Sequence, residues 1–247
     1  EIHWRDWSSD VCSSDLILGL LCEARDADGS AFSEEAMIEQ LLTMVYAGYE
    51  TSAAATAWAL YLLAREPAAR SRLLDELLNR NLQAWLENDY LEALCSETLR
   101  LYPVIPDIDR LLRTKLAIPG YTLPCGLAVA VPITLVHKDP RIYSQPEGFR
   151  PERFAARPPS PFEYLPFGGG ARRCIGAAYA LCQMKIIIAQ VLSRFRIELA
   201  ERRDVPAVRR SLLMVPRGGV HVRLHAPARS LFSRCSKGVA DEASPGP

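Results

Sequence analysis

Apolar residues crowd the chain between Met37 and Leu63 and again between Ala177 and Phe195, with polar and proline-rich stretches between the two blocks. The first block opens at a polar turn, ARDADGSAFSEE (Ala24–Glu35). Ser33 is a good N-cap there, and Glu34 and Glu35 put negative charge in the first turn, where the helix dipole favours it. The pattern stays compatible with a helix to Arg65, and Pro67 stops it. That predicts one helix of about 32 residues, roughly 48 Å at 1.5 Å per residue. It is apolar on nearly every side, so it is expected to run through the middle of the protein.

An amphipathic, charged helix is expected over Ala68–Leu78 and another over Leu91–Leu101, ending before Pro103. From there to Leu165 prolines recur, and short apolar runs such as LAVAVPI (Leu127–Ile133) read as strands. Ala177–Phe195 is expected to be helical and apolar nearly all round. VHVRLH (Val220–His225) alternates like a strand, with His221, Arg223 and His225 on its polar face. The four-residue spacing of the two histidines imitates helical zinc ligands, but the alternation and the lack of a third ligand favour a solvated strand face. The sum is mainly α with a small β portion (α+β).

Composition narrows this further. The 247 residues are 49% hydrophobic and 23% charged with zero formal net charge, which suits a globular domain and offers no basic footprint for nucleic acid. No apolar run is long enough to span a bilayer. Seven cysteines, at 12, 22, 95, 125, 174, 182 and 235, form no CxxC pair and read as reduced thiols of a cytosolic compartment. The stretch DWSSDVCSSDL (Asp6–Leu16) resembles the translation of a widely used sequencing-library adapter. Residues 1–16 are therefore set aside as an assembly artefact, residues 17–226 are taken as part of one domain, and 227–247, ending SPGP, as a disordered tail. On this reading the chain is a fragment cut on its N-terminal side.

FGGGARRCIG (Phe167–Gly176) carries the most specific chemistry. Gly168, Gly169 and Gly170 allow backbone angles that other residues resist. Cys174 is expected at the N-terminus of the following helix, where unpaired N–H groups and the dipole favour a thiolate, with Arg172 and Arg173 pushing the same way. The flanking glycines would let a flat macrocycle approach the backbone. The alternative is a buried structural cysteine on a loop. Zinc is disfavoured because no second cysteine or histidine stands at ligand spacing.

Inside the long helix, AGYETS (Ala47–Ser52) departs from its surroundings. Gly48 costs about 1 kcal/mol relative to alanine, and Glu50 and Thr51 place a carboxyl and a hydroxyl among apolar neighbours. These departures point to a locally opened helix with a proton relay and room for a ligand, against the alternative of a plain helix turn with Glu50 reaching solvent. In ETLR, Glu97 and Arg100 share a helix face. PERF (Pro151–Phe154) offers Arg153 as a further partner for Glu97.

Taken in order, AGYETS, ETLR, PERF and FGGGARRCIG resemble the signature set of the cytochrome P-450 family, the haem-thiolate monooxygenases. Phe167, Gly170, Arg172, Cys174 and Gly176 match every fixed position of that family's FxxGxRxCxG pattern. The resemblance covers about Ile17–Ala226, roughly the C-terminal half of a member, and its context looks bacterial. It implies that Cys174 is the proximal thiolate ligand of a haem b iron, with Phe167 near the sulfur and Gly168 in the loop. Arg172 and Arg110 match propionate-binding positions. Glu50 and Thr51 match the acid–alcohol pair that delivers protons to bound dioxygen, with Ala47 and Gly48 flanking the oxygen pocket. Glu97, Arg100 and Arg153 match a buried charge triad with a structural role.

The function implied is insertion of one oxygen atom of O2 into an apolar substrate. Electrons would come from NAD(P)H through a ferredoxin-type donor and its reductase, with Arg173 a docking charge, in a monomeric bacterial cytoplasmic protein. Three alternatives stay open: a haem-thiolate peroxygenase or isomerase, a haem-binding sensor or carrier, and an inactive fragment of such an enzyme. The fragment is expected to fold poorly or bind haem weakly, because its long helix would lie exposed on one side.

Overall fold

The computed structural model describes residues 17–26, 28–78, 80–156, 159–201 and 203–226. The expectations for residues 1–16 and 227–247 fall outside the described residues. The chain divides into two compact units, residues 1–50 and 51–247.

The first unit contains α1 (Ile17–Glu23), an isolated bridge between Arg25 and Ala31, and the start of α2 (Glu34–Arg65). Helix α2 begins where the cap chemistry places it: Ser33 Oγ accepts from the Ala36 N–H at 3.2 Å. Its course to Arg65 matches the periodicity, but its surroundings do not. Leu42, Val45, Tyr46 and Tyr49 are 64–75% exposed. The exposure expected of the fragment's long helix falls on its first half, and enclosure is confined to its second half, where Trp58, Ala59, Tyr61 and Leu63 have no exposure. An apolar pattern states what a helix needs to bury; it does not supply the partner.

In the second unit, α3 (Pro67–Leu77) starts with Pro67 in its first turn, a position that needs no N–H donor. Two short caps follow. Asn81 receives the Ala84 N–H ahead of α4 (Leu82–Leu86), and Asn88 receives the Leu91 N–H ahead of α5 (Asp89–Leu101). Helix α5 therefore starts two residues earlier than the apolar pattern indicates. Helices α6 (Ile133–His137), α7 (Glu152–Ala156) and α8 (Ala177–Arg194) follow among the described residues. The apolar faces of α2, α3, α5 and α8 share one core that includes Leu63, Leu73, Leu94 and Ile188. Beside it, Trp58 stacks on Tyr102 at 3.9 Å between ring centres.

The β portion consists of antiparallel pairs. Strand β1 (Asp107–Leu111) pairs with β4 (Ala128–Pro132), and β2 (Leu116–Ile118) with β3 (Tyr121–Leu123). Strand β5 (Arg196–Leu199) pairs with β8 (Val222–His225), and β6 (Ala207–Arg210) with β7 (Leu213–Pro216). In β8 the expected polar face is not uniform. Leu224 is 53% exposed, whereas His225 is half-buried with Nε2 3.3 Å from Glu198 Oε2 of β5. Pairing on one side only relaxes the in–out alternation. Among the described residues, no helix is long and apolar enough to cross a membrane.

Candidate functional site

Glu97 and Arg100 lie three residues apart on α5 and close a two-point fork. Arg100 donates from Nε to Glu97 Oε2 at 2.7 Å and from Nη2 to Oε1 at 2.9 Å, with neither side chain exposed. Arg153 of α7 donates from Nε to the same Oε1 at 3.0 Å, and the Arg150 N–H adds a fourth donor at 2.9 Å. The remaining Arg100 donors end on the carbonyls of His137, Pro146 and Gly148, at 2.7, 2.8 and 3.2 Å. Every guanidinium N–H is thereby used, which is what a fully buried arginine requires. The structure brings together all three residues that the ETLR and PERF spacings single out.

It also places three aromatic residues there that the sequence does not signal. His137 is fully buried; its Nδ1 lies 3.2 Å from the Arg100 carbonyl, and its Nε2 accepts the Leu165 N–H at 2.9 Å. Burial pushes its pKa down to about 4. Tyr164 stacks on the imidazole and donates to the Ser96 carbonyl at 3.1 Å, and Tyr143 donates to the Glu163 carbonyl at 2.8 Å. A single histidine between an apolar run and KDP carries no periodic signal, so no sequence pattern finds it.

Leu165 leads into the glycine turn. Gly168 and Gly170 hold φ of +71° and +67°, in the left-handed region where a side chain is strained. The Gly168 N–H reaches the Leu165 carbonyl at 2.9 Å, and the Cys174 N–H reaches the Phe167 carbonyl at 2.8 Å, closing the loop around the short 3-10 turn Gly170–Arg172. Phe167 packs against the main core. Cys174 is exposed and unpaired, which removes the buried structural alternative. It precedes the cap: Gly176 is the N-cap of α8, so the thiol stands on the loop two residues before it. A Cβ on Gly176 would lie 3.9 Å from Cys174 Sγ.

Arg172 and Arg173 are exposed and make no ion pair among the described residues. Arg110, exposed on β1, donates among the described residues only to its neighbour's carbonyl, that of Asp109, at 2.8 Å. Its strand touches the loop: a Cβ on Gly168 would lie 3.5 Å from Ile108 Cδ1, and Ile108 shares a strand face with Arg110. Among the described residues, no hydrogen bond or ion pair joins Arg110, Arg172 and Cys174 to one another. The set is nonetheless chemically consistent with a haem: a soft, unpaired thiol, two arginines without acidic partners, and small glycines where a flat ring would approach.

Ala47, Gly48, Glu50 and Thr51 lie on α2. The expected local opening is not there, since the helix is regular from Glu34 to Arg65. All of these residue types adopt helical angles, and one glycine lowers helix stability without breaking the ladder. Glu50 is exposed and Thr51 half-buried, while a Cβ on Gly48 would meet nothing within 4 Å.

Residues 3–223 match the family model for Cytochrome P450. The chain is 33% identical over 226 residues to the Mycobacterium tuberculosis protein designated cytochrome P450 135B1, covering 92% of this chain and 48% of that protein. It is 38% identical over 186 residues to mouse cytochrome P450 3A13, covering 71% and 37% respectively. A solved structure of the cyanobacterial protein CYP120A1, bound to retinoic acid, superposes with a TM-score of 0.80 at 30% identity, over 87% of this chain and 52% of that one. The chain thus spans about half the length, or less, of the relatives it matches. With a thiol-bearing loop, a buried Glu–Arg–Arg cluster and this agreement of sequence and architecture, the chain belongs to the cytochrome P450 family.

Proposed function

We propose that the protein of which this chain is a part is a haem-thiolate monooxygenase acting on an apolar organic substrate. One observation carries the reading: Cys174 is an exposed and unpaired thiol on a glycine-rich loop closed by its own backbone hydrogen bonds. In this reading Cys174 Sγ binds the iron of haem b, with Phe167, Gly168, Gly170 and Gly176 shaping the loop around it. Arg172 and Arg110, cations without acidic partners, pair with the propionates. When bound, haem supplies the dioxygen chemistry: one oxygen atom enters a C–H bond and the other leaves as water, at the expense of two electrons and two protons. Thr51 Oγ1 and the Glu50 carboxyl pass those protons inward along α2, beside the small residues Ala47 and Gly48. The Glu97–Arg100–Arg153 cluster holds the segments around the loop and touches no reactant. Electrons come from NAD(P)H through a ferredoxin-type partner and its reductase, and the protein works as a cytoplasmic monomer.

The test is the absorption spectrum of the chain expressed with haem supplied, then reduced and exposed to carbon monoxide, beside a Cys174→Ala control. A strongly red-shifted Soret band that disappears in the control supports thiolate ligation. A haem signal that persists without Cys174 overturns the assignment.

A second reading applies to the chain by itself. The exposed apolar side chains of α2, with Tyr49 at 75% and Tyr46 at 72%, favour an isolated chain that binds haem weakly and turns over no substrate.

A further inference from the structure

His137 sits where the buried charge cluster meets the cysteine loop, and its hydrogen bonds run in both directions. The Arg100 carbonyl can only accept, so the contact from Nδ1 at 3.2 Å requires the proton on Nδ1. The Leu165 N–H can only donate, so Nε2, at 2.9 Å, carries none. The two partners together fix a neutral imidazole in one tautomer. In return, Arg100 donates from Nη1 to the His137 carbonyl at 2.7 Å, so the two residues clasp each other. The ring is wedged as well as bonded: Tyr164 stacks on it with planes 19° apart, and Tyr143 meets it edge-on.

The far side of this clasp is the loop. Leu165, held by Nε2, receives the Gly168 N–H on its own carbonyl at 2.9 Å. A Cβ on Gly169 would lie 3.7 Å from Leu165 Cδ2, so the same residue packs under the glycine turn. Two residues on, the Phe167 carbonyl receives the Cys174 N–H. The path from the Glu97 carboxylate to the Cys174 backbone therefore passes Arg100, His137, Leu165 and Phe167. His137 joins helix α5 to the loop's lead-in by a bond at each ring nitrogen, beside the bond from Tyr164 to the Ser96 carbonyl. Lacking this acceptor, the Leu165 N–H would be left without a partner in a partly buried position.

We infer that His137 is a positioning residue for Cys174, its unprotonated Nε2 anchoring Leu165 so that the glycine turn presents the thiol in one geometry. The inference rests on Cys174 being the iron ligand for its functional meaning, but its physical content is testable without haem.

The experiment is amide hydrogen exchange on the full chain, comparing His137→Asn with His137→Gln. Asparagine reaches only to the Nδ1 position and keeps the contact to Arg100. Glutamine reaches to the Nε2 position and restores the acceptor for Leu165. The amides of Gly168 and Cys174 are expected to exchange at least about tenfold faster in His137→Asn, with Ile188 and Leu192 of α8 unchanged, and to return to within about twofold of the parent in His137→Gln. Equal loop exchange in the two variants, or an acceleration that includes α8 equally, overturns the inference and leaves His137 a packing residue. If neither variant folds, the unmutated chain decides through nitrogen NMR: a protonated Nε2, or no coupling across the hydrogen bond from Leu165 N to Nε2, overturns it. With haem bound, His137→Asn is expected to broaden or shift the Soret band of the reduced carbon monoxide complex, and His137→Gln to restore it. Persistence of haem binding in Cys174→Ala would sink the functional reading alone, while the exchange data would still judge the anchor.

Discussion

Arg100 meets Glu97 with two parallel hydrogen bonds, 2.7 and 2.9 Å long, at a place where neither side chain touches solvent. A bidentate pair of this kind gains from geometry as well as charge, yet it sits where desolvation is most costly. Its net effect depends on completeness: four donors on the carboxylate and five acceptor contacts for the guanidinium leave nothing unpaired. Removing one partner strands the other. Arg100→Ala and Glu97→Ala are each expected to lower stability by about 3–5 kcal/mol, read as a fall in the urea midpoint of the chain. Arg153→Ala should cost clearly less, because its side chain is 13% exposed and water can replace part of what it provides. Equal losses in all three variants would contradict this order.

His137 gives the fold a pH dependence of known sign. Its pKa is pushed down to about 4 in the folded chain by burial, against 6.5 for the free side chain. Between those values the unfolded chain holds a proton that the folded chain rejects, so the unfolded state binds more protons and stability falls as the pH drops through this window. The contribution is complete above about pH 6.5 and is lost progressively down to pH 4, amounting to something on the order of 3 kcal/mol. Urea midpoints measured from pH 7.5 to 4.5 should decline in the parent and stay nearly flat in His137→Gln. A parallel decline in the variant would assign the slope to other groups.

What the sequence made legible follows the range of the forces involved. Ser33, Pro67 and the run from Ala177 act within a turn of themselves, and α2, α3 and α8 lie within about a residue of the periodic pattern. Helices α4 and α6 have five residues each, too few for periodicity to show, although Asn81 marks the first. The spacing of Glu97 and Arg100 placed them on one face, but their complete burial depends on carbonyls 37 to 48 residues away in the chain. For α2 the apolar content and a bare side were both legible, but not which half would lack cover, the half that carries Leu42, Val45 and Tyr49. The loop motif was the most readable part of the site because its chemistry is written in contiguous residues. His137 was the least readable, since both of its partners belong to other segments.

The glycine turn should be intolerant for conformational reasons. At Gly168, φ is +71° and a Cβ would meet Ile108 Cδ1 at an ordinary 3.5 Å, so the penalty of a side chain is backbone strain, with little from crowding. Gly168→Ala is expected to cost about 1–2 kcal/mol and to weaken haem retention in parallel. Gly48→Ala makes the converse case: it lies within a regular helix with nothing within 4 Å of its Cβ, and should stabilise α2 by up to about 1 kcal/mol. Thermal unfolding of the two variants should therefore move in opposite directions, and a destabilised Gly48→Ala would mean that this position needs its glycine for something other than helix geometry.

Thr51→Ala separates the two catalytic readings that the loop alone leaves level. If Thr51 Oγ1 and the Glu50 carboxyl carry protons, oxygen insertion driven by a ferredoxin-type donor should fall by about 10²-fold or more in the full-length protein. Electron consumption should fall far less, so the yield of product per electron drops. Hydrogen peroxide brings its own oxygen and protons, and turnover driven by it should be affected differently from the electron-driven route. Glu50→Gln should show the same uncoupling, because it removes the acid while preserving the shape of an exposed side chain. Electron-driven product formation that is unchanged in Thr51→Ala would remove this pair from proton delivery. Peroxide-driven turnover that survives Thr51→Ala in a protein that makes no product from the electron donor would instead favour a peroxygenase. Loss of coupled turnover with the thiolate spectrum intact would place the defect in proton delivery, since Cys174 and its loop would be untouched.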